Sequence, residues 1–123
     1  MPALNFQEKF AAAVSSGRKT QTIRALRKRP IRVGDTVYLY TGQRTKAAQR
    51  LGTGTVIEVH DIMFCDRRPP AIVIDGKRVA YAGLESEEIA VRDGFVNIRA
   101  LLHWFRKTHG LPFRGHLIRW RLT

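Results

Sequence analysis

The chain has a single cysteine, Cys65, in 123 residues, and that scarcity removes two architectures at once. A disulfide framework needs paired cysteines and a thiolate zinc cluster needs several. A lone thiol fits a reducing, intracellular setting. No apolar run approaches the roughly 20 residues that cross a bilayer as a helix. The opening Met1-Pro2-Ala3-Leu4 lacks a charged segment followed by an apolar one, the pattern of a secretory signal. A cytoplasmic protein without a membrane partner is the expectation. The sequence has no internal repeat, low-complexity tract or linker-like stretch. Its length suits one domain over residues 1–123, large enough to bury a core without staples.

Acids are scarce as well. Ten Asp and Glu stand against 22 Lys and Arg, a formal net charge of +12, and sixteen of those cations are Arg. The guanidinium fork matches phosphate and stacks on bases, so nucleic acid or a nucleotide is a fitting partner. A merely solubilising basic surface fits too, because net charge governs association and not fold. Metal ligands are not clustered. His60, His103, His109 and His116 include no pair at ligand spacing on one helix face, so neither a metal nor another cofactor is expected. Gly52-Thr53-Gly54 precedes a strand and not a helix, so it is no dinucleotide fingerprint, and there is no P-loop.

The hydrophobic fraction of 44% and charged fraction of 26% are those of a soluble globular chain, so its periodicities can be read as packed elements. Asn5, with Glu8 three positions on, predicts a capped first helix whose buried face carries Phe6, Phe10, Ala13 and Val14. Gly17 is placed to end it. Thr20 to Ala25 predicts a strand, and Arg27-Lys28-Arg29-Pro30 a basic loop. A turn at Val33-Gly34-Asp35 leads into a strand over 36–40, a polar loop over 41–51, and a third strand over 55–62. Asp75-Gly76 between two β-rich runs predicts a tight hairpin. Ser86 is expected to cap a short helix over 87–92, and Asn97 a longer one that buries Ile98, Leu101, Leu102 and Phe105 and stops at Gly110. A closing strand over 116–122 completes an α+β order, with a small, mostly antiparallel sheet curled towards a barrel and helices at its flanks. Trp104, Phe105 and Trp120 are expected in the core.

Chemistry concentrates in Gly17-Arg18-Lys19-Thr20-Gln21-Thr22-Ile23-Arg24, where two hydroxyls and three cations follow a glycine. A hydroxyl beside an amine is a nucleophile beside a base or anion stabiliser, and flanking arginines can hold phosphate. On spacing alone, Thr22 also fits a plain β-former and Lys19 a solvated turn cation. Strand parity sets Thr20, Thr22 and Arg24 on one face, so Lys19 meets Thr22 only if the chain turns near residues 17–19. Arg24 fits a substrate phosphate or carbonyl, or a surface ion pair with Asp35. Tyr40, beside the loop that carries Arg44 and Lys46, fits base stacking with phosphate contacts, or a half-buried core position. Arg27-Lys28-Arg29 and Arg67-Arg68 fit solvated loops or phosphate neutralisation.

With Val33-Gly34-Asp35-Thr36-Val37, Ala90-Val91-Arg92-Asp93-Gly94-Phe95, the Trp104-Phe105 pair and the strand containing Trp120, the Gly17 motif resembles the ASCH family of the PUA-like superfamily over nearly the whole chain. The resemblance implies a PUA-like barrel with a cleft facing RNA or a modified nucleoside. Members of one small bacterial type are amidohydrolases of N4-acetylcytidine that use a Lys, a Thr and a Glu. Lys19 and Thr22 match the first two. Asp93 stands where the Glu is expected, one methylene shorter. The resemblance thus implies a metal-independent amidohydrolase with Thr22 as nucleophile, Lys19 as base or oxyanion stabiliser and Asp93 as proton relay. Arg24, Tyr40, Arg44 and Phe95 are the substrate-binding candidates. Other family members are linked to RNA, so an RNA-binding module, with or without ribonuclease activity, is the alternative.

Overall fold

A computed structural model describes residues 2–123; Met1 lies outside them. Among the described residues the order is β1 (Ala3–Phe6), α1 (Glu8–Ser15), β2 (Gln21–Ala25), β3 (Thr36–Thr41), β4 (Gln49–Cys65), β5 (Ala71–Ile74), β6 (Lys77–Val79), α2 (Leu84–Arg92), α3 (Ile98–Thr108) and β7 (Phe113–Leu122). The expected α+β class and curled sheet are present. No described helix is long and apolar enough to cross a membrane.

The 17-residue β4 is the spine. Along one edge it pairs with β7, and along the other first with β3 and then with β5. A bulge makes this length useful. Val56 pairs with Trp120 and Glu58 with Arg119, so Ile57 is the extra residue and lies exposed. One inserted residue reverses the side-chain alternation beyond it. Val56 therefore packs in one core with Trp120, Leu39 and Phe6, while Ile62 and Phe64 pack in another with Leu101, Leu102 and Phe105. β7 serves both cores without a bulge, Ile118 and Trp120 facing the first and Phe113 and Leu117 the second. The first core fills the curl of the sheet; α2, α3 and the β5–β6 hairpin cover the second.

Five strands, β1-β3-β4-β7-β2, form most of a ring. β1 is parallel to β3, β2 is antiparallel to β7, and no ladder joins β1 to β2. A side chain spans that seam instead: Arg24 Nη2 donates to the Asn5 carbonyl at 2.6 Å.

Several sequence expectations change here. Asn5 does not cap α1; it lies in β1, where Leu4 and Phe6 alternate into the core, and Gln7 precedes the helix without a side-chain cap. Burial at period two outweighs the capping signal. Residues 49–51, expected in a loop, extend β4 because Tyr40 and Thr41 pair with Arg50 and Gln49. Thr41 itself ends β3. β4 also continues past 62 to Cys65, held by β5 and β7, and the closing strand begins at Phe113. The helix expected over 87–92 starts at Leu84 after Gly83; Ser86 instead donates its hydroxyl to the Tyr81 and Gly83 carbonyls. The Asn97 cap is present, its Oδ1 accepting from the Ala100 N–H at 2.8 Å. The hairpin at Asp75-Gly76 is present too, both residues having positive φ.

The hairpin is tied back to β4 by charge. Asp75 accepts from the Asp61 N–H at 2.9 Å and meets His60 Nδ1 at 2.6 Å, while His60 Nε2 meets Glu58 Oε1 at 3.0 Å. An imidazole facing carboxylates with both nitrogens is satisfied only as the doubly protonated cation. Its hydrogen bonds to Glu58 and Asp75 raise the His60 pKa, and His60 lowers those of both acids. Stability from His60 is thus complete below the unfolded histidine value near 6.5 and fades as pH rises through the higher folded value. The carboxylates' share fades as pH falls through their lowered values. We expect the gap in thermal midpoint between wild type and His60→Gln to be widest between about pH 5 and 6.5, and to close at higher pH. A gap that is flat across a pH titration of the melting curve refutes the brace.

β2 lies close against β7 because Gly115 has no side chain: a Cβ there would stand 2.1 Å from the Arg24 carbonyl oxygen. Gly115→Ala should destabilise the fold by about 1–3 kcal/mol in urea denaturation, from forced displacement of backbone.

Candidate functional site

The open seam of the ring is also a cavity of about 240 Å3. Asn5, Phe6 and Phe10 form one wall, Thr22 and Arg24 of the β2 edge another, and Trp104 of α3 closes the far side. Lys19 and Asp93 lie within it. Lys19, Thr22, Asp93 and Arg24, candidates from the sequence, therefore line one cavity.

Local backbone explains how Lys19 arrives there. Gly17 takes φ +80° after α1, and the Lys19 N–H donates back to the Ala13 carbonyl at 2.9 Å. The regular strand begins only at Gln21, so Lys19 escapes the strand parity that would turn it from Thr22. It is not a solvated turn cation: Lys19 is 4% exposed. Its Nζ donates to the Gln21 carbonyl at 2.8 Å and the Asp93 carbonyl at 2.6 Å, and lies 3.8 Å from Asp93 Oδ1. The Phe6 and Phe10 rings flank the ammonium at 5.8 and 5.1 Å.

Asp93 ends α2, its N–H donating to the Ile89 carbonyl, and Gly94 then turns the chain with φ +99°. A Cβ on Gly94 would meet the Phe10 ring at 2.6 Å, so the glycine lets that wall close on the site. Gln21 fixes the carboxylate, its Nε2 donating to Asp93 Oδ1 at 3.3 Å and to the Ile89 carbonyl at 3.1 Å. Arg119 Nε donates in turn to Gln21 Oε1 at 3.2 Å and pairs with Glu58, the neighbour of His60. A continuous polar chain thus runs from the hairpin brace to Asp93.

Burial dominates the electrostatics. It pushes the Lys19 pKa down, against the pull of Asp93 and with the help of Arg24. It pushes the Asp93 pKa up, against Lys19, Gln21 and Arg24. The two groups are thereby brought towards each other on the proton scale, the condition for passing a proton between them. Arg24 is lowered by burial as well, opposed by Asp93. Its Nε donates to Thr22 Oγ1 at 2.9 Å, and its guanidinium lies 4.9 Å from the centre of the Phe6 ring. It makes no ion pair with Asp35, whose carboxylate instead accepts from the Arg32 N–H at 2.9 Å. With one Thr22 lone pair held by Arg24, the hydroxyl proton is free to point into the cavity.

The other candidates lie elsewhere. Tyr40 pairs with Asn5 and Arg50 in the sheet, and Arg44 is exposed in the 42–48 loop; neither lines the cavity. Phe95 stands behind the wall, its ring 6.4 Å from Phe10 and 5.9 Å from Trp104. Trp120 and Phe105 are core residues, 1% exposed, whereas Trp104 is half-buried and reaches the cavity. Gln21 and Phe10 belong to the site without carrying a sequence signal for it. Gln21 lay inside the Gly17 motif, but only the α2 terminus gives its amide a task. No group of three or more His, Cys, Asp or Glu suited to a metal ion occurs among the described residues.

No protein-family model, curated protein or solved structure matches this chain.

Removing Asp93 leaves the buried Lys19 charge without its carboxylate. Asp93→Ala should cost about 3–5 kcal/mol in urea denaturation. Arg92→Ala, which breaks the exposed pair with Glu88, should cost under about 1 kcal/mol. Equal costs for the two changes contradict this account of the pair.

Proposed function

We propose that the protein is a PUA-like domain of the ASCH type and an amidohydrolase that removes the acyl group from N4-acylated cytidine or a related modified pyrimidine nucleoside. The observation that carries the reading is the buried Lys19–Asp93 pair, with Lys19 Nζ 3.8 Å from Asp93 Oδ1, set in the same cavity as the Thr22 hydroxyl. The walls suit a base: Phe6, Phe10 and Trp104 offer apolar ring surface to a planar heterocycle, and Arg24 offers fixed positive charge.

A neutral amine has two N–H donors and one lone pair, and the Gln21 and Asp93 carbonyls take up both donors. The lone pair is then available to accept the Thr22 proton as Oγ1 attacks the acyl carbonyl. Charge that develops on the carbonyl oxygen is held by Arg24. Collapse breaks the C–N bond, and the proton returns through the Lys19–Asp93 pair to the departing exocyclic amine. Water then attacks the acyl-threonine ester, releasing the carboxylic acid and restoring the hydroxyl. The net change is amide plus water to amine plus acid. The alternative of an RNA-gripping cleft draws on the chain's basicity, but it gives the Asp93 carboxylate no task, since that group repels phosphate.

Incubation with N4-acetylcytidine, followed by the ultraviolet shift to cytidine, tests the proposal. Wild type should turn over, and Lys19→Ala and Thr22→Ala should each lose at least about a thousandfold in kcat while keeping a folded far-ultraviolet spectrum. Full activity of Thr22→Ala removes it as nucleophile. With Lys19 as base, the rate should rise with pH through a pKa below the usual lysine range, because only the neutral amine accepts a proton.

A further inference from the structure

Gln21 is a buried amide, 1% exposed, in the polar chain that ends at Asp93. Two of its partners can act in one direction only. Arg119 Nε can only donate, so the Gln21 atom that faces it at 3.2 Å is the oxygen. The Ile89 carbonyl can only accept, so the atom that faces it at 3.1 Å is the nitrogen. The amide is therefore held in one orientation from both ends. Its remaining N–H is directed to Asp93 Oδ1 at 3.3 Å.

Residue type matters here as much as distance. A glutamate of the same length would suit Arg119, but it would set oxygen against both the Ile89 carbonyl and Asp93. A methionine would fill the volume and leave Arg119 and both acceptors unpaired. Glu58 anchors the far end, with Oε1 and Oε2 each 3.4 Å from Arg119 Nη1.

The two oxygens of Asp93 are thereby made unequal. Oδ1 accepts from Gln21 and lies 3.8 Å from Lys19 Nζ. Oδ2 accepts no hydrogen bond among the described residues. Nor is it sealed in, because Trp120 Nε1 is the one enclosed side-chain polar atom without a partner among those residues. Asp93 lines the seam cavity, so Oδ2 is the carboxylate atom left open to a ligand. An oxygen that already accepts a fixed N–H is a poor place for a proton, and an oxygen without a donor is a better one. Burial, which favours the neutral acid, works in the same direction.

We infer that Gln21 and Arg119 are positioning residues that reserve Asp93 Oδ1 as an acceptor and leave Oδ2 to carry the transferable proton. The inference rests on the proposed hydrolase and divides its proton transfers between two groups. The reactive pair begins as neutral Lys19 and protonated Asp93. Lys19 takes the Thr22 proton as Oγ1 bonds to the acyl carbon. When the C–N bond breaks, its electron pair stays on the exocyclic nitrogen, which takes the Oδ2 proton and leaves as the neutral amine. The pair is then an ammonium and a carboxylate. In the second half, water gives a proton to Oδ2 as its oxygen attacks the ester. Lys19 returns its proton to Thr22 Oγ1 as the ester bond breaks, and the starting pair is restored.

The test uses the full chain, isotopically labelled for NMR, and its first readout needs no substrate. A Gln21 side-chain amide proton should shift with pH at the same midpoint as the Asp93 carboxyl carbon, because ionisation strengthens the bond it donates. Amide resonances that stay fixed while Asp93 titrates overturn the inference. Gln21→Met should raise the Asp93 midpoint by about one unit, since a donor to the carboxylate is lost. Gln21→Glu should raise it further, through like-charge repulsion. Lys19 and Arg24, the other charged groups that act on Asp93, are retained in both variants. A purely structural Gln21 would lower stability and leave the midpoint in place, and that result overturns the inference. If neither variant folds, the wild-type amide shift decides. Arg119→Met should speed solvent exchange of the Gln21 amide protons, and Arg119→Lys, which keeps a donor, should restore their protection.

The second readout is hydrolysis of N4-acetylcytidine. Gln21→Met should lower kcat at least about tenfold and leave KM within about twofold. The alkaline limb of its pH–rate profile should move up by as much as the carboxyl midpoint does, because the acid must be protonated to donate. Hydrolysis that Gln21→Met leaves unchanged in rate and profile overturns the positioning role and leaves the hydrolase standing. Coupled amide and carboxyl titrations in a protein that does not hydrolyse the nucleoside support the fixed amide and overturn the hydrolase.

Discussion

The ring of strands stops one ladder short of closure, and the molecule depends on how that gap is filled. Backbone donors and acceptors on β1 and β2 face a seam where a barrel would pair them. Arg24 reaches the Asn5 carbonyl across it, and Lys19 supplies donors to the Gln21 and Asp93 carbonyls. Long cationic side chains can satisfy carbonyls across a distance that a backbone N–H cannot span. The cost is that two charges leave bulk water, and the aromatic rings of Phe6 and Phe10 with the carboxylate of Asp93 offset it. A closed ladder between β1 and β2 would leave no such seam.

Two features of the rest of the fold hold that gap at a fixed width. The Ile57 bulge divides one long strand between two cores, so the cavity has a packed wall on either side: Phe6 belongs to the core within the curl, and Phe105 to the core under the helices. The polar chain from Asp75 through His60, Glu58, Arg119 and Gln21 to Asp93 crosses the outer face of β4, β7 and β2. Paired residues fix its members to that face, because Glu58 opposes Arg119 and Arg119 opposes Gln21 in the ladders. Titration of His60 therefore acts on a group whose hydrogen bonds lead, link by link, to the buried carboxylate.

Parts of this architecture were legible in the residues. Asp75-Gly76 specifies its hairpin through two positive φ values, and Asn97 specifies the α3 start through its own side chain. Gly17, Gly34 and Gly94 mark turns that the backbone takes with positive φ. Misread elements share a cause. Asn5 carries a local capping signal, yet its neighbours Leu4 and Phe6 bury themselves by pairing beside β3. Gln49, Arg50 and Leu51 have no strand pattern of their own and are extended because β3 pairs with them.

The same division runs through the candidate site. Residue chemistry within the Gly17–Arg24 segment already brought together an amine, hydroxyls and guanidinium groups, because neighbours in sequence are neighbours in space. The sequence by itself also determined the excess of arginine, the turn at Gly17 and the order of helices and strands after β1. Tertiary structure alone decided that Lys19 is buried and not solvated, that Gln21 steadies Asp93, and that Tyr40 and Arg44 stand away from the cavity. Those outcomes depend on where α2 ends against β2 and on a ring left open between β1 and β2. Both are set by packing between segments far apart in the chain, which no local pattern of residues encodes.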